Sequence, residues 1–143
     1  MTSYTPPKRP IPVPDDLTRG FWEASARGML AAQHCQDCGF YTHPPRVLCG
    51  GCASGNVKFD DVSGRGRIYS WAVMRMQSVA GFEQSVPYTT LLVELEEQPK
   101  LLLAGYMPGE GEGLSIGAPV EVFFEAIEGS DLKLPNFSLV AGK

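Results

Sequence analysis

The sequence predicts a mainly β protein in three parts: a short N-terminal helix, a zinc ribbon and a C-terminal barrel of the OB-fold class. Three observations lead to this prediction. The four cysteines form two Cys-x-x-Cys pairs, and short segments of alternating polarity follow them. The 16 glycines and 12 prolines favour short strands and turns over long helices. We expect residues 1–28 to hold an arm and the helix, residues 29–58 the ribbon and residues 59–143 the barrel.

The first 28 residues are expected to form an extended arm followed by a helix. Residues 1–14 contain five prolines and little else that can pack, which is typical of an extended segment. Asp15, Asp16 and Thr18 are preferred helix-capping types, and Gly28 is placed to end the helix.

Two adjacent aromatic residues, Phe21 and Trp22, dominate the apolar face of this helix. A helix this short has little core of its own. The two rings therefore either pack on the ribbon or dock on another protein, and the sequence leaves both interpretations open.

The cysteine spacing indicates a tetrahedral metal site, and the residues are Cys35, Cys38, Cys49 and Cys52. Each Cys-x-x-Cys pair places two thiolates on one side of a tight turn, and two facing turns complete a four-coordinate zinc. Gly39 and the two glycines at 50–51 supply backbone freedom for these turns. Four thiolates close the coordination shell, so we predict a structural zinc that stabilises the fold by on the order of 10 kcal/mol.

Other uses of these cysteines fit less well. Two disulfides require an oxidising compartment, yet residues 1–16 contain no apolar segment of the kind found in secretory leaders. A redox-active pair would stand alone beside a βαβ pattern, which the sequence lacks. Iron also binds four thiolates, and the sequence leaves that metal open. His34 and His43 flank the first pair, and we interpret both as bystanders.

The segments after residue 59 alternate in the manner of strands. The predicted strands are 65–77, 88–95, 100–107, 120–125 and 132–140. The side chains expected to face inward include Thr89, Leu91, Val93, Leu95, Val120, Val122 and Phe124. The strand at 100–107 is apolar on both faces, so both are expected to be covered, and Pro135 places the last strand at an edge. Short strands in this number fit a small closed barrel, for which the OB-fold is the best match.

Composition excludes several function classes. The net charge of −4 gives no broad attraction to nucleic acid or anionic lipid, and no apolar run approaches the length of a transmembrane helix. The sequence contains no nucleophile elbow, no phosphate-binding glycine loop and no His-x-x-x-His pair. We therefore expect a cytoplasmic protein that is not catalytic by itself.

One face of the segment 65–77 mixes arginine and aromatic side chains, a combination that suits a nucleotide. The candidate ligand-binding residues are Arg65, Tyr69 and Trp71, together with Arg46 beside the ribbon. Such a face is also common where a strand meets solvent or a partner. That alternative stays open for these residues, and we favour it for Arg75.

Two further aromatic residues, Phe82 and Tyr88, border the segment 79–86. They are candidates for partner docking, because this segment could reach toward another subunit. The alternative for Tyr88 is that it begins a strand and packs in the barrel.

These motifs form an ordered series that resembles one known family, and the resemblance covers about residues 17–125. The series is Phe21-Trp22, Gly28-x-Leu30-x-x-Gln33-x-Cys35-x-x-Cys38-Gly39, Pro44-Pro45-Arg46-x-x-Cys49-x-x-Cys52, Ser63-Gly64-x-Gly66-x-Ile68-Tyr69-Ser70, Pro87-Tyr88 and Ile116-Gly117-x-Pro119-Val120. The family combines an N-terminal helix, a rubredoxin-like zinc ribbon and a C-terminal OB-fold, and was long labelled as a domain of unknown function. One departure is Gly50-Gly51, where the family more often has a proline.

The resemblance implies a role in acyl-CoA metabolism as an accessory subunit without catalytic residues. Members of the family resemble partners of thiolase-fold enzymes, including aldolases that act on steroid side chains. In that reaction a β-hydroxyacyl-CoA is cleaved by retro-aldol chemistry, and the thiolase-like subunit carries the acid and base. We therefore expect a hetero-oligomer with a thiolase-like protein, with acyl-CoA at or near the interface.

Two other functions are weighed against this one. Zinc ribbons and OB-folds also occur together in proteins that bind single-stranded nucleic acid, but the acidic charge and scattered lysines count against that function. A rubredoxin-like electron carrier would need iron in the cysteine site.

Overall fold

The computed structural model describes residues 10–76, 81–82 and 85–140, and it confirms the predicted mainly β class. Most of the expected arm, residues 1–9, lies outside the described residues. The elements in chain order are α1 (Arg19–Ala26), β1 (Leu30–Cys35), β2 (Tyr41–Thr42), β3 (Val57–Val62), β4 (Arg65–Met74), β5 (Tyr88–Leu95), β6 (Leu102–Pro108), β7 (Pro119–Ala126) and β8 (Lys133–Leu139).

The predicted glycine ending of α1 is present, whereas Thr18 at the N-cap makes no capping hydrogen bond with its side chain. The Asp15 carboxylate accepts the backbone N–H of Thr18 at 2.8 Å, which supports the turn that leads into the helix. At the other end Gly28 has a φ of +78°, and the N–H of Met29 donates to the carbonyl of Ala24 at 3.0 Å. This is the left-handed helix ending that glycine favours.

Three antiparallel strands in the order β2-β1-β3 form the ribbon sheet. Strand β3 pairs with β1 along its whole length, from Leu30 opposite Val62 to Cys35 opposite Val57. The ribbon sheet therefore extends to residue 62. Strand β2 has only two residues, and a side chain from the barrel satisfies part of its backbone, as described below.

The other five strands form the barrel sheet in the order β6-β5-β4-β7-β8. The sheet closes into a barrel where β6 approaches β8. There Gly105 of β6 faces the buried ring of Phe137 of β8, and a Cβ at Gly105 would lie 2.7 Å from Phe137 Cδ2. Pro135 lies in β8, whose hydrogen-bonded neighbour among the described strands is β7 alone, as predicted for an edge. This strand order and closure are those of an OB-fold barrel.

One apolar core joins the ribbon to the barrel. Residues Leu30, Ala32 and Val62 of the ribbon sheet pack in the same cluster as the barrel residues. The barrel contributes Ile68, Leu91, Val93, Leu95, Leu101, Leu103, Val120 and Phe137. The inward alternation predicted for β5 and β7 is confirmed, because Thr89 is buried and Val122 and Phe124 pack against this cluster. The expectation that both faces of β6 are covered holds only in part, because Ala104 on this strand is exposed.

The thirteen-residue alternation expected for the first barrel strand is interrupted. The pairing of β4 with β5 shifts register between Ile68 and Ser70, which places a bulge at Tyr69. Before the bulge the even-numbered positions are buried, and after it Trp71 packs against the core. The odd-numbered residues of β4 therefore do not share one face.

Candidate functional site

The four cysteine sulfurs converge as the spacing predicts. All four Sγ atoms lie within 4.8 Å of one another, with Cys35–Cys52 at 3.7 Å and Cys38–Cys49 at 3.6 Å. In a tetrahedral site with Zn–S bonds of about 2.3 Å the sulfurs are about 3.8 Å apart. The donor set and its dimensions therefore fit one tetrahedral metal ion.

Backbone amides prepare two of these sulfurs to act as thiolates. The N–H of Cys52 donates to Cys49 Sγ at 3.4 Å, as does the N–H of Gly51 at 3.2 Å. These bonds, that of Cys52 first, lower the pKa of Cys49 to about 6. The backbone N–H of Cys38 likewise lowers the pKa of Cys35. Because metals bind the thiolate form, these amides favour Cys35 and Cys49 as metal ligands.

The glycines of the two turns have different roles. Gly39 has a φ of +80°, as the first turn requires, but the residue with positive φ after the second pair is Ala53 at +64°. Gly50 and Gly51 do not have positive φ, so the second turn does not use the left-handed conformation that glycine allows at these two positions. Their role is close packing, since a Cβ at Gly51 would lie 3.0 Å from Phe40 Cγ.

Both histidines lie outside the sulfur cluster, as interpreted from the sequence. His34 Nδ1 is 2.7 Å from the Asp60 carboxylate, and its ring stacks on Tyr41 at 4.2 Å. His43 lies beside the ring of Phe21, and burial lowers its pKa.

Two glutamine side chains hold ribbon backbone in place, Gln98 from the barrel and Gln33 from within the ribbon, and sequence reasoning did not identify either role. The Gln98 carboxamide pairs with the backbone N–H and carbonyl of Tyr41, each at 2.8 Å. The Gln33 carboxamide does the same for Arg46, at 2.9 and 2.6 Å. No local pattern could have indicated these contacts, because the Gln98–Tyr41 pair is separated by 57 residues.

A cleft of about 250 Å³ lies where the ribbon meets the barrel, and we name it the junction cleft. Its lining residues are Phe40, Tyr41, Thr42, His43, Arg46, Gly50, Gln98, Pro99, Lys100 and Leu101. Of the candidate ligand-binding residues, only Arg46 lies here.

The other candidate ligand-binding residues are placed apart from one another. Arg65 forms an ion pair with Glu96 at 2.8 Å, and Arg67 donates to the carbonyl of Gly117. Tyr69 accepts a hydrogen bond from Lys100 Nζ at 2.8 Å. Trp71 packs against the core, so it does not share the exposed face on which Arg65 and Arg67 lie. The bulge in β4 is the physical reason.

The two helix aromatics lie side by side on α1. Their rings meet edge to face with centroids 5.0 Å apart. Both rings line an apolar cleft of about 310 Å³, and Phe21 also packs against the barrel core. Other lining residues of this helix cleft are Pro44, Pro45, Leu103, Ala104, Leu134 and Pro135.

The other two candidate docking residues lie in one aromatic cluster at an end of the barrel. Phe82 lies 5.6 Å from Tyr88 and 6.3 Å from Tyr106, measured between ring centroids. Tyr88 begins β5 and is only 7% exposed. Residues 77–80 and 83–84, which include part of the segment predicted to reach a partner, lie outside the described residues.

None of the helices in the described part of the chain is long and apolar enough to cross a membrane.

Comparison with known proteins identifies both halves of the fold. Residues 22–58 match the family described as ChsH2, rubredoxin-like zinc ribbon domain. Residues 60–125 match the family described as ChsH2, C-terminal OB-fold domain. A solved chain of the Ltp2-ChsH2(DUF35) aldolase is similar, with a TM-score of 0.75 and 28% identity, covering 89% of this chain and 97% of that one.

Two curated relatives extend the comparison. A 3-oxo-4,17-pregnadiene-20-carboxyl-CoA hydratase alpha subunit from Mycobacterium tuberculosis is 30% identical over 99% of this chain, which spans 46% of that subunit. A DUF35 domain-containing scaffold protein from Pyrococcus furiosus is 34% identical over 71% of this chain and 73% of its own length. With the cysteine site, the ribbon and the barrel in place, these matches show that the chain belongs to the DUF35 domain-containing proteins, the family with a ChsH2-type zinc ribbon and OB-fold.

Proposed function

We propose that this protein is a non-catalytic accessory subunit of a thiolase-like enzyme that acts on acyl-CoA thioesters. The observation that carries the proposal is the likeness to a chain of the Ltp2-ChsH2(DUF35) aldolase, which extends over nearly the whole of both chains. The relatives named as a scaffold protein and as an alpha subunit support a role within an assembly.

The proposed reaction of the complex is a retro-aldol cleavage of a β-hydroxyacyl-CoA whose acyl group is the side chain of a steroid. The bond between the α and β carbons breaks, the β-hydroxyl loses its proton as a ketone forms, and the α carbon takes a proton to leave a shorter acyl-CoA. The aldolase likeness and the steroid-derived CoA ester in the name of one relative support this choice. The acid and base belong to the partner.

The cysteine site has a structural role in this proposal, with zinc as its metal. Four thiolates fill a tetrahedral shell and leave no position for water or substrate. The site holds the ribbon, and through the shared core it supports the barrel. Four reduced thiols suit the cytoplasm, where thiols stay reduced.

The helix cleft is the proposed docking surface for the partner. Trp22 is half-buried among prolines and leucines there, and tryptophan is enriched among the residues that anchor interfaces. The aromatic cluster of Phe82 and Tyr88 is a second proposed contact, and acyl-CoA lies near this interface.

Binding of single-stranded nucleic acid is less well supported. Arg65 and Arg75, which a nucleic acid would need on the barrel, are paired with Glu96 and Glu110. Trp71 is turned to the core and offers no base-stacking surface there.

Co-expression with a thiolase-like protein from the same genome tests the proposal. We expect the two chains to co-elute in size-exclusion chromatography, and to cleave a steroid β-hydroxyacyl-CoA only together. Trp22→Ala should weaken the complex by about tenfold or more, whereas Phe123→Ala, which removes a half-exposed ring on β7, should not. A chain that stays monomeric, or a partner equally active alone, would contradict the proposal.

A further inference from the structure

The cysteine site has one buried and one exposed cysteine in each turn. Cys35 and Cys49, the first residues of their pairs, are only 1% and 5% exposed. Cys38 and Cys52, the second residues, are exposed. A small solute that approaches the site therefore meets the second cysteine of a turn before the first.

Each exposed cysteine also contacts the buried cysteine of the other turn. Cys38 Sγ lies 3.6 Å from Cys49 Sγ. Cys52 Sγ lies 3.7 Å from Cys35 Sγ. A disulfide has a sulfur–sulfur distance of about 2.05 Å, so either bond forms after a movement of less than about 2 Å. The site thus contains two cross-turn pairs, each with one accessible and one protected thiol.

Hydrogen bonds that do not involve the sulfurs hold the two turns together. The Asp37 carboxylate of the first turn accepts the Ser54 hydroxyl and, at 3.0 Å, the side-chain amide of Asn56, which both follow the second turn. The backbone N–H of Gln36 donates to the carbonyl of Asn56 at 2.8 Å. These bonds do not depend on a metal ion, so they keep the facing thiols within reach of each other during a reaction.

An accessible thiolate beside a second thiolate is the arrangement found in thiols that react reversibly with peroxides. The exposed thiolate attacks one peroxide oxygen, the O–O bond breaks, and with one proton taken up a sulfenic acid and water are formed. The facing thiolate attacks the sulfenic sulfur, the S–O bond breaks, and with a second proton another water leaves. Two thiolates, one hydrogen peroxide and two protons therefore give one disulfide and two waters.

The first disulfide removes two of the four metal ligands. A structural zinc is held by four ligands, so the ion is released and the second pair of thiols becomes free to react. Leu30 and Val62 of the ribbon sheet belong to the same apolar core as the barrel. Oxidation of the cysteine site should therefore also lower the stability of the barrel.

We propose that Cys38 and Cys52 are sites of reversible oxidation by peroxides and that their oxidation releases the zinc. Cys49 is the resolving cysteine for Cys38. Cys35 has the same role for Cys52. This inference rests on the zinc of the proposed function but goes beyond that function, because it requires neither a partner subunit nor acyl-CoA.

Treatment of the zinc-loaded full chain with hydrogen peroxide tests the proposal. We expect a chromogenic zinc indicator to report about one zinc released for the first two thiols lost. A thiol reductant with added zinc should restore the zinc content and the thermal midpoint. The matched control is Met76→Leu, which removes a methionine that is 73% exposed and also reacts with peroxide, and its zinc release should equal that of the original chain.

Peptide mapping of the oxidised original chain identifies the bonds and does not depend on a cysteine variant that loses its metal. We expect the disulfides Cys38–Cys49 and Cys35–Cys52. Dimedone, which traps sulfenic acids, should label Cys38 and Cys52 when it is present during oxidation. In the metal-free chain unfolded in urea, disulfides within each Cys-x-x-Cys pair should dominate instead, because the shorter loops close at lower entropic cost.

Three results would overturn the proposal. One is a folded chain whose disulfides lie within each Cys-x-x-Cys pair, as in the unfolded chain. Another is dimedone labelling of Cys35 and Cys49 in preference to the exposed cysteines. The third is zinc that stays bound while thiols are lost, or that cannot be restored by reduction. Binding of a thiolase-like partner is not measured in any of these experiments, so their failure is distinct from failure of the proposed function.

Discussion

The Gln98 carboxamide pairs with both backbone polar groups of Tyr41, donating to its carbonyl and accepting its N–H at 2.8 Å each. Gln98 lies in the turn between β5 and β6, whereas Tyr41 begins β2 of the ribbon. A side chain of the barrel thus continues the ribbon sheet at its edge and covers backbone groups that would otherwise need another partner. This pair fixes the ribbon against the barrel beside the junction cleft.

Replacing Gln98 should therefore destabilise more than an exposed glutamine does. Gln98→Ala leaves the N–H and the carbonyl of Tyr41 without their partner, so we expect a loss of about 2 kcal/mol in the free energy of unfolding. Urea denaturation gives this value. Hydrogen exchange should also show faster exchange of the Tyr41 amide.

The matched control for this prediction is Gln36→Ala. Gln36 is exposed and its side chain bonds within the ribbon, to the carbonyl of His34 and to Asp60. We expect a change within about 0.5 kcal/mol. Equal losses in both variants would show that the Gln98–Tyr41 pair has no special role.

Gly66 supplies a second test, because the barrel leaves no room for a side chain there. A Cβ at Gly66 would lie 2.8 Å from Val93 Cγ1 and closer still to the carbonyl oxygen of Glu94. Backbone cannot move aside as a flexible side chain can, so Gly66→Ala should cost about 2–3 kcal/mol. Thermal and urea unfolding measure the loss.

Gly55→Ala is the control for steric cost. Gly55 also lacks a positive φ, and the nearest heavy atom to its Cβ position would be Leu48 Cδ2 at 3.8 Å. An alanine fits there, and we expect a change between zero and a gain of about 1 kcal/mol. If Gly66→Ala proved as harmless as Gly55→Ala, the close packing of β4 on β5 would be disproved.

Local signals in the sequence account for the parts of the fold that were predicted correctly. The cysteine site could be predicted because its ligands lie close together in the sequence and only short loops separate them. The strands β5 and β7 could be predicted because burial of one face makes polar and apolar residues alternate. The bulge at Tyr69 was missed because one extra residue does not change the composition of β4. That single bulge turns Trp71 to the core and separates the candidate ligand-binding residues.

The junction cleft was only partly predictable. Arg46 was a candidate because it follows two prolines at the edge of the ribbon, but Lys100 gave no signal among scattered lysines. Both residues line the cleft because the β5–β6 turn lies against the ribbon. Contacts of this kind depend on tertiary structure, and one sequence does not encode them in any local pattern.

Metal removal should unfold more than the ribbon. Leu30 and Val62 of the ribbon sheet share one apolar core with Ile68 of the barrel, so loss of the cysteine site removes support from the barrel as well. We expect a strong chelator to produce a single cooperative loss of near-ultraviolet and far-ultraviolet circular dichroism. Metal analysis should give about one zinc per folded chain.

The matched comparison for metal removal is Cys49→Ser, which should behave like the chelated protein. A barrel that keeps its full signal without metal would show that the two parts fold independently. Iron in place of zinc, with the colour of a tetrathiolate iron site, would contradict the structural zinc.

His43 should make the protein less stable in mild acid. Burial lowers its pKa in the folded state, whereas in the unfolded chain its pKa is about 6.5. As the pH falls through that value, the unfolded state takes up a proton and the folded state does not. The free energy of unfolding therefore falls with decreasing pH, by at most about 1.4 kcal/mol per pH unit, until the folded-state pKa is reached.

His43→Gln isolates this effect because it removes the ring that titrates and leaves the four metal ligands unchanged. Acid also weakens zinc binding, but this contribution is common to both proteins and cancels in the difference between them. Urea denaturation at pH 7.5 and 5.5, with excess zinc, should show a smaller loss for the variant than for the original chain. Parallel losses would mean that His43 takes up its proton equally well in the folded state, and the apolar surroundings of its ring beside Phe21 would then have no effect on its charge.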